Sequence, residues 1–297
     1  MVPRAHLVPD RSGAHSSLPA PRASYADSMM SVALLGGGRM GEALLAGLLD
    51  AGWDAEGVAV AEVDAERRRV LEERFPEVRI VPSPAWAVAD AALVVVAVKP
   101  GDVVGVLEQC ATTLPEKTVV LSIAAGVTIE TLETGAPDRP VVRAMPNTAA
   151  LARQGAAAIS SGKHATDADL DLAERVLAAV GEVVRVPEHL LDAVTGLSGS
   201  GPAYVFLVAE AMVEAGVLAG LPRDTAARLV NQTLLGAATL LTEDPRGPEA
   251  LRAAVTSPGG TTAAGLRELE LHGVRAAFLE AVAAATERSR ELGRPPS

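Results

Sequence analysis

Two textures alternate along the chain between Met30 and about Val186. Short apolar runs, "SVALLG", "GVAVAE", "VRIVP", "ALVVVAV", "KTVVLSI", "PVVRAM", "GAAAIS" and "EVVRVP", are separated by stretches in which apolar residues recur at helical spacing. A continuous run suits a strand covered on both faces, and the longer period suits a helix lying on one of them. The alternation predicts an α/β domain, a parallel sheet with helices on both sides, over residues 29–186. After Pro187 the strand signal stops. Helical patterns then follow one another from Leu190 to Arg294, punctuated by "SGSGP", "GLPRD", "EDPRGPE" and "TSPGG". They predict a second, all-α domain over residues 187–297.

One interruption in that helical series stands out. In "AVTSPGGTTAAGL" poor helix formers run without a break from Val255 to Gly260 and force a loop between two helices. Such a loop either links its neighbours or presents backbone to a ligand. The helices also carry more apolar faces than a domain of this size can cover alone, so a homodimer through this region is expected.

Composition narrows the picture. The 297 residues leave room for two domains with real cores, and with 49% apolar but only 2% aromatic residues those cores are built from Ala, Val and Leu. The formal charge is −11 and the basic residues are dispersed, which argues against nucleic acid as a partner. Cys110 is the only cysteine, and five scattered histidines show no metal-ligand spacing, so a cytoplasmic, metal-free protein is expected. No apolar run approaches the roughly 20 residues of a membrane span. Residues 1–28, rich in Pro, Ser, Arg and Ala, read as a disordered leader, either part of the protein or upstream of a true start at Met29 or Met30.

The first helical stretch opens with chemistry. "ALLGGGRMGEALL" sets Gly36, Gly38 and Gly41 in G-x-G-x-x-G spacing between a strand and a helix, with Arg39 and Met40 between them. Gly36 allows the tight turn, Gly38 lets backbone approach a pyrophosphate, and Gly41 permits close packing of helix on strand. About twenty residues on, Glu62 ends the second strand where an acidic group binds the ribose hydroxyls of NAD. Three arginines follow it. Arg67, Arg68 and Arg69 are either a solvated helix face or, for one of them, a contact for the 2′-phosphate of NADP, and the choice stays open. Ala97, Val98, Lys99 and Pro100 end the fourth strand at the carboxyl edge of the sheet, where open α/β sheets bind ligands. Lys99 is a cofactor or substrate contact there, or a solvent-facing residue. Asn147 in "AMPNTAA" offers an amide to the same crevice, or caps a turn.

With these segments in view the chain resembles the pyrroline-5-carboxylate reductase family. The likeness runs from "GGGRMG" through "AVKP", "MPNT" and "LSGSGPAYVFLVAEAMVEAGVLAGLPRDTAARLVNQTLLGAA" to "VTSPGGTTAAGL", nearly everything after Met29. It implies a Rossmann-type dinucleotide-binding domain followed by an all-α dimerisation domain. It also implies reduction of a C=N bond by NADPH or NADH, with a slight tilt to NADPH, and dimers that in some members assemble further. Val255, Ser257, Gly260, Thr261 and Thr262 match the family's substrate loop. Ala149 departs from the proline that often follows "PNT", which affects only the shape of that loop.

The loop's own residues argue in the same direction. Gly259 and Gly260 leave the backbone unobstructed, and a helix starting near Thr261 has unpaired N–H groups in its first turn, a place for a small carboxylate. Thr262 is the candidate catalytic group, a neutral hydroxyl at the imine nitrogen, with Ser257 positioning the carboxylate; otherwise both hydroxyls only cap the helix. Three rival readings meet these residues differently. A β-hydroxyacid dehydrogenase needs a lysine where the glycine pattern Gly196, Gly199, Gly201 puts Val205. A reductase of a related cyclic imine carboxylate passes the same tests, and a non-catalytic nucleotide-binding regulator has little reason to keep the loop.

Overall fold

The computed structural model describes residues 30–293; the expectation for residues 1–28 lies outside them. Eight strands, β1 (Val32–Leu35), β2 (Val58–Ala61), β3 (Arg79–Val81), β4 (Leu93–Val96), β5 (Val119–Ser122), β6 (Val141–Met145), β7 (Gly155–Ser161) and β8 (Gly181–Arg185), form one sheet. Its order is β3-β2-β1-β4-β5-β6-β7-β8. The reversal of direction beside β1 is the crossover at which open sheets of this kind bind their ligands. Helices α1 (Arg39–Asp50), α2 (Ala65–Arg74), α3 (Pro84–Val88), α4 (Val103–Cys110), α5 (Ile129–Gly135) and α6 (Asp167–Ala178) cover the two faces.

Alternate side chains of each central strand feed two separate cores. Leu34, Leu93, Val95 and Leu121 point to α1 and α6, where Leu44, Leu48 and Leu177 meet them. Their neighbours Leu35, Val94, Val96 and Val120 point the other way, onto Val103, Leu107 and Leu132. Being buried on both faces is what made these strands continuous apolar runs. Each such fully buried Leu or Val contributes about 1.5–3 kcal/mol relative to exposure.

The expectation of an all-parallel sheet is corrected at one place: β7 runs antiparallel to β6. The connection between them is too short for a helical crossover, which takes a dozen residues or more. It folds instead as a 3₁₀ turn, Thr148–Ala152, closed by Arg153 in the left-handed region at φ 57°.

The remaining helices are α7 (Leu191–Val194), α8 (Gly201–Leu218), α9 (Arg223–Glu243), α10 (Gly247–Ala254), α11 (Thr261–Leu271) and α12 (Val274–Leu292). A π-turn, Thr195–Gly199, joins α7 to α8. Gly196 in that turn lies so close to α12 that a Cβ there would stand 2.4 Å from Thr286 Oγ1. α8 pairs with α9, α10 packs on α9, and α12 returns to pack on α7 and the π-turn. Polar ties hold the junction to the sheet. Glu188 accepts a hydrogen bond from the Ile129 N–H at 2.8 Å and one from the buried Arg143 at 2.9 Å, and Ser289 Oγ meets Asp192 Oδ1 at 2.7 Å.

Little of the helical region is buried in a single chain. α8, α10 and α11 have no buried residue, and α9 has only Ala226 and Val230. Phe206 is 68% exposed and Leu218 91%. The expectation that no apolar segment reaches membrane length is also corrected. Glu188–Leu218 holds a stretch with mean hydropathy 1.4, long and apolar enough by length and composition to cross a bilayer. Hydropathy within a helix looks the same whether lipid or another protein surface covers it.

Candidate active site

The glycine turn after β1 is shaped by close approaches. Gly36 has φ +110°, and a Cβ on it would stand 2.7 Å from the Ala97 carbonyl oxygen at the end of β4. A Cβ on Gly41 would stand 2.1 Å from the Gly36 carbonyl oxygen, so α1 packs directly on the turn. Gly38 is different, with open space around it, and it caps α1 with no side chain over the first-turn N–H groups. Those N–H groups, with the positive end of a helix of 12 residues behind them, form a cradle that the pyrophosphate of a dinucleotide fits. Arg39, exposed at the first helical position, is left without an ion-pair partner among the described residues.

Beside this cradle lies an acidic group held from two directions. Glu62 Oε2 accepts the Gly37 N–H at 2.9 Å and Oε1 accepts the Asp64 N–H at 2.9 Å. The three arginines that follow separate into distinct jobs. Arg67 donates from Nε to the Gly37 carbonyl at 2.6 Å and pairs with Glu42. Arg68 donates to the carbonyls of Glu62 and Val63, at 2.8 Å each. Arg69 alone is the solvated helix face, paired with Glu66 and Glu73. Glu42 receives both Arg67 and Arg74. Burial pushes its carboxyl up, and the two guanidiniums outweigh that and hold it below its ordinary value.

At the carboxyl edge of β4, Ala97 and Val98 are partly buried and Lys99 is exposed. The Lys99 backbone caps the short 3₁₀ turn Pro100–Asp102, and its ammonium meets no carboxylate among the described residues. Asn147 does more than cap a turn. Its Oδ1 accepts the N–H groups of Ala149 and Ala156, at 3.2 and 3.1 Å, while Nδ2 donates to the Ser198 carbonyl at 3.0 Å. The side chain thus ties the sheet edge to the π-turn and has one N–H left over. Cys110 is buried in the core and burial pushes its thiol up to about 11, which marks it as an inert packing residue.

In the second region, α10 ends at Ala254 and the chain turns through Val255, Thr256, Ser257, Pro258 and Gly259 before α11 starts at Thr261. Gly259 makes the turn possible at φ +71°, and the Gly260 N–H closes it onto the Ser257 carbonyl at 3.0 Å. A Cβ on Gly260 would stand 2.4 Å from Ser257 Oγ. The N-cap of α11 is Gly260, which has no side chain to offer, and no hydroxyl takes its place. The alternative in which Ser257 and Thr262 merely cap the helix is therefore not what the structure shows. Thr261 and Thr262 are exposed beside uncapped N–H groups.

Comparison with known proteins bears on both regions. The family model for pyrroline-5-carboxylate reductase dimerisation matches residues 188–292, and that for coenzyme F420-dependent NADP oxidoreductase matches residues 31–126. A pyrroline-5-carboxylate reductase of Mycobacterium tuberculosis is 46% identical, over 89% of this chain and 97% of its own. The chain belongs to the pyrroline-5-carboxylate reductase family. A solved member from Coxiella burnetii is 35% identical with a TM-score of 0.86, covering 90% of this chain and 99% of its own. One from Plasmodium falciparum, solved with NADP bound, is 29% identical with a TM-score of 0.78 over 90% and 99%.

Within this reductase-family chain the two regions are not brought together. α10 packs on α9 and α11 on α12, while sustained contacts between the helical region and the sheet come from α7 and the π-turn. The loop before α11 and the glycine turn after β1 thus share no sustained contact in one protomer. Sequence reasoning also passed over Arg143 and Glu188, the ion pair that holds the junction. A charged residue in the middle of "PVVRAM" was the available signal, since a buried arginine needs a partner.

Proposed function

We propose that the enzyme reduces 1-pyrroline-5-carboxylate to L-proline with NADH or NADPH, and that Thr262 and the loop before it hold the substrate. The observation that carries this reading is the uncapped start of α11, where N–H groups and the Ser257 and Thr262 hydroxyls have no hydrogen-bond partner among the described residues. A five-membered ring bearing one carboxylate has what such a place accepts. The carboxylate takes the N–H groups and the Ser257 hydroxyl, leaving the ring nitrogen within reach of Thr262. A bound dihydronicotinamide supplies the hydride. As hydride adds to the imine carbon, the C=N electron pair moves to nitrogen and quenches its positive charge. A neutral hydroxyl at that nitrogen suits the change better than a strong acid. Gly36, Gly38, Arg39, Met40 and Gly41 hold the pyrophosphate, Glu62 the ribose, and Ala97 to Pro100 line the nicotinamide end; Asn147 acts by shaping that edge.

The same reading makes the exposed helical faces a homodimer interface, capable of carrying larger assemblies of dimers. It also sets the loop of one protomer against the cradle of its partner, because within a chain the two lie apart. A cytoplasmic location and a small-molecule partner, rather than nucleic acid or membrane, go with the acidic and dispersed charge. The test is loss of reduced-nicotinamide absorbance with pyrroline-5-carboxylate. Oxidation of neither cofactor would end the reductase reading. Thr262→Ala is expected to lower kcat by about tenfold or more while the cofactor Kd stays within about twofold. An unchanged kcat would remove Thr262 from the mechanism.

A further inference from the structure

We infer that this enzyme is built for NADH, with Glu62 as the residue that excludes the 2′-phosphate of NADPH. The inference rests on the dinucleotide reading of the glycine turn. Its first support is the fixed state of the Glu62 carboxylate. One oxygen is held by the Gly37 N–H and the other by the Asp64 N–H, each at 2.9 Å, so the group cannot swing aside for a phosphate. Each carboxylate oxygen accepts along two directions, and one on each is still open. Two open acceptors side by side match the paired hydroxyls of an adenosine ribose. They would set a carboxylate against a 2′-phosphate, acceptor facing acceptor.

The second support is that the arginines after Glu62 turn back onto the chain, Arg67 and Arg69 paired with carboxylates and Arg68 holding two carbonyls through one nitrogen. Arg67 and Arg68 were the reason to consider NADPH, yet both turn back on the loop. Arg67 holds the Gly37 carbonyl and Glu42, and Arg68 holds the carbonyls of Glu62 and Val63. They brace the acidic end of β2. Arg69 is spent on Glu66 and Glu73. Arg39, without an ion-pair partner among the described residues, stands on the phosphate turn next to Gly38, where it serves a pyrophosphate common to both cofactors.

The decisive measurement is the Kd of NADH and of NADPH for the full-length enzyme without substrate, read by nicotinamide fluorescence, together with kcat/KM for each. The expected result is a preference for NADH of about tenfold or more in both quantities. Glu62→Ser and Glu62→Gln are expected to shrink that ratio about tenfold, chiefly by admitting NADPH, and Arg39→Ala to weaken both dinucleotides alike. Equal or tighter binding of NADPH by the unsubstituted enzyme overturns the inference. So does a ratio that Glu62→Ser leaves unchanged, or an Arg39→Ala effect confined to NADPH. Should Glu62→Gln fail to fold, Glu62→Ser and the ratio in the unsubstituted enzyme still decide. Failure to turn over pyrroline-5-carboxylate with either cofactor strikes the reductase reading instead, and the two dissociation constants still rank the cofactors.

Discussion

Neighbouring glycines in the phosphate turn carry different loads, and substitution should separate them. At Gly41 an added methyl would stand 2.1 Å from the Gly36 carbonyl oxygen, a backbone atom that cannot rotate away. Gly41→Ala is expected to cost about 1–3 kcal/mol, as overpacking does, and to lower the melting temperature by several degrees. Gly38 has nothing within 4 Å, so Gly38→Ala should leave the melting temperature nearly unchanged while weakening dinucleotide binding. Thermal melts and cofactor titrations of the two variants check both halves. The Glu42 carboxyl gives a pH-dependent counterpart. Since Arg67 and Arg74 hold it below the ordinary 4.5, its stabilising effect is complete above that value and fades as pH falls through the folded value. Glu42→Gln should therefore be less stable than the unsubstituted enzyme near neutrality and lose less on acidification from about pH 5 to pH 3. Parallel melting curves against pH would contradict this.

Among the elements, all eight apolar runs are strands of the one sheet; in the central ones double burial leaves no room for polar residues, whereas the edge strands β3 and β8 are partly exposed and carry Arg79, Glu182 and Arg185. What periodicity lacks is direction. β7 looked like any other strand, and its reversal follows from the short link before it. The π-turn Thr195–Gly199 was hidden for a related reason. Its Gly196 lies where a Cβ would meet Thr286 on α12, a neighbour remote in sequence. In the candidate site the residues were legible one at a time, by type and spacing, whereas their partners were not. Asn147 shows the difference. It joins the β6–β7 link to Ser198 of the π-turn, so Asn147→Ala strands two backbone N–H groups and one carbonyl at the junction. About 3 kcal/mol of stability should go with it, taking each of the three stranded groups at the low end of the range, about 1 kcal/mol, because the place is partly exposed. Hydrogen exchange should quicken first at Ala149 and Ala156, and a purely catalytic role for Asn147 would leave those protections unchanged.

For the molecule as a whole, the exposed apolar helices and the separation of clamp from cradle are two sides of one arrangement. Leu207, Leu218, Leu235 and Leu279 are each more than half exposed in a lone chain, too much apolar surface for a stable monomer. A family dimerisation region covering residues 188–292 accounts for that surface. If dimer formation also carries the Thr262 loop of one protomer to the Gly38 cradle of its partner, each site draws on two chains. Two defective variants then become informative together. Gly38→Asp puts a carboxylate where a pyrophosphate belongs, in open space that leaves the fold intact, and Thr262→Ala disables the clamp. Each homodimer is impaired at every site. In the mixed dimer one site collects both defects and the other collects none. Co-expression of the two variants should therefore restore about a quarter of normal activity, since half of randomly paired dimers are mixed and each holds one sound site. Activity that never rises above that of the separate variants would place cradle and clamp on the same chain.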